Sequence, residues 1–167
     1  MTLVDFTSPD STAAWRAVGD VVMGGVSASR LEVCPGGAAF AGTVSLECGG
    51  GFASIRAGPR SWPAAGADAF ALTVRGDGRR YKFTLRTDDG FDGIQYQASF
   101  AASPAWQRVV LPASGFVASF RGRPLSGVPA LDSGKVRTLG LMIAERQAGH
   151  FRLELARIEA LVMPPGA

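Results

Sequence analysis

Apolar and polar side chains alternate with a period of two through most of this chain, and helical periodicity is nearly absent. Residues 38–46 set Ala38, Phe40, Gly42, Val44 and Leu46 against Ala39, Ala41, Thr43 and Ser45. The pattern returns at 69–75, with Phe70, Leu72 and Val74 against Ala71, Thr73 and Arg75. At 79–87 Tyr81, Phe83 and Leu85 oppose Arg80, Lys82, Thr84 and Arg86; at 94–100 Ile94, Tyr96, Ala98 and Phe100 oppose Gln95, Gln97 and Ser99. Further runs lie at 106–111, 136–144 and 149–162. Successive side chains of an extended chain point to opposite sides, so each run predicts a strand with one buried face. In the last run Phe151, Leu153 and Leu155 keep phase while Ile158, Ala160 and Val162 fall out of it. One extra residue near Ala156-Arg157, a β-bulge, would produce that shift.

Glycine punctuates the runs in three clusters: Gly19-Asp20-Val21-Val22-Met23-Gly24-Gly25-Val26-Ser27, Gly49-Gly50-Gly51-Phe52, and Arg75-Gly76-Asp77-Gly78-Arg79. Inside strand patterns glycine costs stability, so such clusters predict tight turns, bulges or close backbone approach. Pro35-Gly36-Gly37 reads as one hairpin turn. Asp77-Gly78 reads as another, making Phe70–Arg75 and Arg79–Thr87 antiparallel neighbours. A short turn is expected after Ser8-Pro9-Asp10 and another near 61–66. The stretch 121–135 is the longest strand-poor connection. Roughly ten short strands with glycine or proline between them predict an all-β sandwich of two antiparallel sheets, one domain over 1–167.

At 167 residues and 47% hydrophobic content the chain can bury a core, which excludes a disordered polymer. Only 19% of residues are charged, the net charge is +3, and Lys82 and Lys135 are the only lysines. The basic residues are scattered, so nucleic acid is not an expected partner. The amino terminus has no basic start followed by an apolar run, and no stretch reaches the length of a membrane span. A cytoplasmic protein is the expectation, and the arginine- and alanine-rich composition points to a bacterial source. If Pro35-Gly36-Gly37 turns the chain, Cys34 and Cys48 lie roughly 30 Å apart, which predicts two buried, unpaired thiols.

Candidate catalytic chemistry is sparse. The single histidine, His150, sits at a turn leading into a strand with no Ser or Cys motif to partner it. Cys48 has no base or helix amino terminus beside it. Asp88, Asp89 and Asp92 crowd one turn without the length or spaced oxygens of a calcium loop. Gly76-Asp77-Gly78 precedes a strand, and a phosphate cradle wants a helix there. No metal and no cofactor are therefore expected. The constellation that stands out is the polar side of 79–87 beside that of 94–100, where Lys82, Arg86, Gln95 and Gln97 would share one face. Trp15, Trp62 and Trp106 are candidate stacking platforms for a sugar on such a face.

Several segments in order also resemble a known family: Asp20-Val-Val-Met-Gly-Gly-Val-Ser27, Phe40-Ala-Gly-Thr-Val-Ser45, Gly49-Gly-Gly-Phe-Ala-Ser-Ile-Arg56, Arg75-Gly-Asp-Gly-Arg79, Phe120-Arg-Gly-Arg123 and Gly149-His-Phe-Arg-Leu153. Across nearly the whole chain this is similar to the complex I intermediate-associated protein 30 family. The resemblance implies a jelly roll of the galactose-binding-like type. It also implies an assembly factor that chaperones an intermediate of NADH:ubiquinone oxidoreductase through protein contacts, with no catalytic residues to carry over. The candidate contact surface comprises Asp20, Met23, Gly24, Gly25, Ser27, Gly50, Phe52, Arg75, Asp77, Arg79, Arg121 and Arg123, together with Lys82, Arg86, Gln95 and Gln97. The alternative is a carbohydrate or other small-ligand module using the same sheet face.

Overall fold

The computed structural model describes residues 1–19, 27–47, 51–89, 93–120 and 123–162. These residues form thirteen strands: β1 (Thr2–Asp5), β2 (Trp15–Gly19), β3 (Ala28–Cys34), β4 (Gly37–Val44), β5 (Ala53–Ala57), β6 (Ala69–Arg75), β7 (Arg80–Arg86), β8 (Gln95–Ala101), β9 (Gln107–Pro112), β10 (Val117–Phe120), β11 (Arg123–Pro124), β12 (Thr138–Ile143) and β13 (Gly149–Leu161). Sheet I has the order β3-β4-β13-β6-β9, with β1 also paired to β13. Sheet II has the order β11-β10-β8-β7-β12-β5-β2. Every pairing is antiparallel, so the fold is the expected jelly-roll sandwich.

The alternation decides which side chains meet between the layers. Phe40, Phe70, Leu72, Leu153, Leu155 and Ile158 of sheet I face Ile55, Tyr81, Phe83, Leu85, Leu139 and Leu141 of sheet II, all essentially inaccessible to solvent. Rings lock the middle: Phe40 meets Phe151 edge-on at 4.9 Å, and Phe70 lies 5.8 Å from Phe83 across the layers. Burying such a side chain contributes about 2–3 kcal/mol, so this core is the main source of stability.

The bulge forecast near Ala156-Arg157 is present: the pairing of β13 with β6 shifts between Leu155 and Arg157. The extra residue returns Ile158 and Ala160 to the core. Its carbonyl is not left bare, because Phe6 N donates to Ala156 O at 2.9 Å. The Pro35-Gly36 turn also forms as expected, pairing Cys34 with Gly37 across the β3–β4 hairpin. The turn after Ser8 forms as successive backbone turns (Ser11 N to Ser8 O, Ala13 N to Asp10 O), and a further turn closes Ala64–Ala67. Within 121–135 lie β11 and a short 3-10 turn at Ser133–Lys135.

The expected hairpin at Gly76-Asp77-Gly78 is not there. β6 pairs with β13 and β9 in sheet I, whereas β7 pairs with β8 and β12 in sheet II. The segment is an arch from one layer to the other. Its backbone bonds run to residues 102 and 103, with Gly76 N on Ser103 O at 2.7 Å and Gly78 N on Ala102 O at 2.8 Å. Asp77 holds the crossing in place. Its carboxylate accepts from Tyr81 Oη at 3.1 and 3.0 Å, from Arg79 N at 3.1 Å and from Arg152 N at 2.9 Å, tying strands of both sheets. Burial first, then the Asp77 charge, pushes the Tyr81 phenol far above its ordinary pKa, so it stays a donor.

Candidate functional site

The outward face of sheet II is where the predicted polar constellation assembles. Lys82 pairs with Ser99 and Thr84 with Gln97, so β7 and β8 place their polar sides together as the alternation required. Pairing in register extends this into rows crossing the sheet. One row runs Arg16, Arg56, Gly140, Thr84, Gln97, Val117 over six strands. The next runs Val18, Ser54, Met142, Lys82, Ser99. Thr138 opposes Arg86, and Ser119 opposes Gln95.

An ordinary solvated sheet face would expose these residues. Here Ser54, Arg56, Thr84, Arg86, Gln95, Ser119 and Thr138 are each at most 9% exposed, and they make up seven of the nine buried polar residues described. Burying polar groups is costly unless they are bonded. Arg86 Nη1 donates to Gly93 O at 3.3 Å, Ser119 Oγ donates to Gln95 O at 3.2 Å, and Ser54 Oγ bonds Val18 O. Arg16, at the exposed edge, donates to Gly58 O at 2.6 Å. Lys82 and Gln97 are half-buried in the middle of the face, and neither side chain has a hydrogen-bond or ion-pair partner among the described residues.

Gly140 is closely covered by its neighbours at the centre of the row. A Cβ there would stand 2.3 Å from Thr84 Oγ1 and 3.2 Å from Ile55 O, so the position accepts no side chain without displacing the threonine. Of the strand positions that complete the face, Arg16, Arg56 and Gly140 were not predicted. A five-residue alternation, Ala53, Ile55 and Ala57 against Ser54 and Arg56, carried the signal for β5.

The other predicted residues are scattered. Arg75 points outward from sheet I, where its guanidinium bonds Glu154 and stacks 4.9 Å from the Trp106 ring. Arg79 and Asp77 belong to the arch, Nε to Oδ2 at 3.6 Å. Ser27 is buried and ties to β4 by accepting from Ser45 N at 2.9 Å. Phe52 is half-buried at the start of β5, and Arg123 is exposed on β11. Asp20, Met23, Gly24, Gly25, Gly50 and Arg121 lie outside the described residues, as does Cys48.

None of the three tryptophans is a platform on this face. Trp15 points inward and packs 5.7 Å from Phe6, Trp62 is buried with Nε1 donating to Arg137 O at 3.0 Å, and Trp106 stands over sheet I. Their apolar area went to packing, the commoner fate of large rings in a small sandwich. His150 is exposed, with Nδ1 3.0 Å from Thr43 Oγ1. Cys34 Sγ lies 3.6 Å from Glu154 Oε1, and burial followed by that neighbouring carboxylate raises its pKa, which keeps the thiol protonated. Asp89 of the acidic turn is held by Arg137 Nε at 2.7 Å, and no cluster of metal-ligating side chains occurs among the described residues.

Comparison with known structures gives the same architecture. A family 11 carbohydrate-binding module of a cellulosomal cellulase from Clostridium thermocellum superposes with a TM-score of 0.67 over 99% of this chain and 96% of that one, at 13% identity. The same family's module in complex with a β-1,3-1,4-mixed-linked tetrasaccharide reaches 0.64 at 15% identity, covering 98% of this chain and 96% of that one. At such identities the likeness is one of fold. In sequence, an uncharacterized protein of Schizosaccharomyces pombe is 31% identical over 95% of this chain and 84% of its own length. The mitochondrial complex I intermediate-associated protein 30 of Drosophila melanogaster is 28% identical over 90% of this chain, which spans 59% of the fly protein. No helix among the described residues is long and apolar enough to cross a membrane. The family model described as complex I intermediate-associated protein 30 matches residues 4–155, and the chain belongs to that family.

Proposed function

We propose that this chain is a non-catalytic binding domain that works through protein contacts, as an assembly factor for respiratory complex I. The observation that carries the reading is the outward face of sheet II, where a chiefly polar row crosses six strands and Lys82 and Gln97 stand half-buried at its centre. Family membership supports it, because the fly relative's name associates that protein with a complex I intermediate. Of the groups weighed for catalysis, His150 bonds Thr43 at the surface and Asp89 is held by Arg137. Cross-linking of the tagged chain in its native host, followed by mass spectrometry, tests the reading. Respiratory-complex subunits enriched with the wild-type chain are the expected result, and their absence from the cross-linked set would remove it.

A carbohydrate module is the second reading, favoured by the fold likeness to the tetrasaccharide-bound module. Against it, no aromatic residue occupies an outward position of the two central rows, leaving pyranose rings nothing to stack on. A glycan array with calorimetry decides it: binding tighter than about 1 mM supports it. The cytoplasmic placement expected from the sequence belongs to the same proposal, and fractionation of the host tests it against the mitochondrial designation of the fly and mouse relatives.

A further inference from the structure

The strands of sheet II carry charge of one sign. Arg16, Arg56, Arg80, Lys82, Arg86 and Arg123 lie on them and no Asp or Glu does, Arg80 being ion-paired with an acid just beyond a strand end, Glu145. Sheet I, in contrast, carries Asp5, Glu32, Glu154 and Glu159 among Arg30, Arg75, Arg108, Arg152 and Arg157. We propose that the outward face of sheet II docks an extended acidic segment of the protein partner, an inference that rests on the protein-contact reading above.

Charge complementarity selects the occupant. Arg56 and Arg86 are buried and already hold partners, so the cation left to meet a ligand is Lys82. Lys82 lies half-buried on the same face with its ammonium unpaired among the described residues, and Gln97 of the neighbouring row offers an amide donor and acceptor. Carboxylates satisfy such a set by charge-assisted hydrogen bonds, which are stronger than neutral ones. Val117, 48% exposed at one end of the row, gives an apolar contact. Six strands span about 24 Å, the reach of about seven extended residues. An acidic polysaccharide fits less well, since the rows hold no ring to stack a sugar.

The probe is hexaglutamate, titrated into the isotopically labelled full chain and followed by amide chemical shifts. Expected are shifts confined to β7, β8 and β12, weakened at least about fivefold between about 0.05 and 0.5 M salt. Lys82→Glu should lower the affinity about tenfold, and Gln97→Arg should raise it about threefold, so a gain is read even if the first variant folds poorly. Arg30→Glu on the other sheet should change it by less than about twofold. No shifts at millimolar hexaglutamate, shifts centred on sheet I, or tetragalacturonate binding in its place would each overturn the proposal. The cross-linking experiment separates the two readings. Partner recovered equally by wild type and Lys82→Glu sinks the acidic-segment docking alone, whereas no partner recovered sinks the protein-contact function.

Discussion

The outward faces of the two sheets start from the same period-two pattern and end in different electrostatic states. On sheet I cations and acids interleave, and register brings them into contact. Arg152 lies 3.5 Å from Glu32 and 3.4 Å from Glu154, Arg108 lies 3.6 Å from Glu159, and Arg75 bonds Glu154. The small residues Ala39 and Ala41 are buried beneath these side chains, so the network roofs its own sheet. On sheet II the polar residues are more deeply buried, their cations have no acid on the same strands, and Lys82 is left over. Exposed ion pairs contribute little stability, so the network on sheet I serves chiefly to neutralise and solvate that face. Arg80 is answered by Glu145 just beyond β12, whereas Lys82 has no such partner among the described residues, and its face is the one we assign to a partner.

Cutting the joint between the two layers is expected to have the largest effect. Asp77→Ala leaves the buried Tyr81 hydroxyl and the Arg152 N–H without their acceptor. About 3 kcal/mol of unfolding free energy should be lost in urea titration, and a change below about 0.5 would mean that the arch is held by its backbone bonds alone. Such a variant reports on the fold, so it is a poor probe of the binding face. Gly140→Val should follow at about 2 kcal/mol, because its side chain must displace Thr84 in the middle of sheet II. A melting temperature equal to wild type would show that the packing of Thr84 over Gly140 is not a constraint.

On sheet I, Glu154→Gln should cost about 1 kcal/mol and leave partner binding untouched. The hydrogen bond from Arg75 is the main reason that the Glu154 carboxyl lies below its ordinary value of 4.5. A carboxylate with a lowered folded pKa contributes stability that is complete above 4.5 and is lost as pH falls through the folded value. The gap in unfolding free energy between wild type and Glu154→Gln should therefore narrow on acidification below that point, and a gap independent of pH would refute the assignment. Smallest of all in stability is Lys82→Ala, expected within about 0.5 kcal/mol because the side chain has no partner among the described residues to lose. Loss of partner capture at unchanged melting temperature is its signature.

Much of the fold was readable in one dimension. The alternation at 38–46, 69–75, 79–87 and 149–162 became β4, β6, β7 and β13, and the phase slip at Ala156-Arg157 became the bulge. These features are local, set by which side of an extended chain each residue occupies. The arch at Gly76-Asp77-Gly78 was misread because Asp-Gly between two alternating runs satisfies a hairpin and a crossing equally well. What decides between them is whether Val74 and Tyr81 belong on one sheet or on opposite ones. The candidate site divides the same way: Lys82 and Gln97 lie on consecutive strands and could be paired on paper, whereas Arg16, Arg56 and Gly140 join them through β2, β5 and β12, distant in the chain.

By itself, then, the order of residues determined that strands form, which side of each is oily and where one of them slips phase, since each depends on neighbours a few positions away. Only the tertiary structure decided which strands lie side by side, that the acids of one layer meet its arginines, and that Lys82 stands on the other layer beside Gln97 with no partner among the described residues. Strand partners are chosen by burial of the whole oily surface at once, and no local pattern encodes that choice.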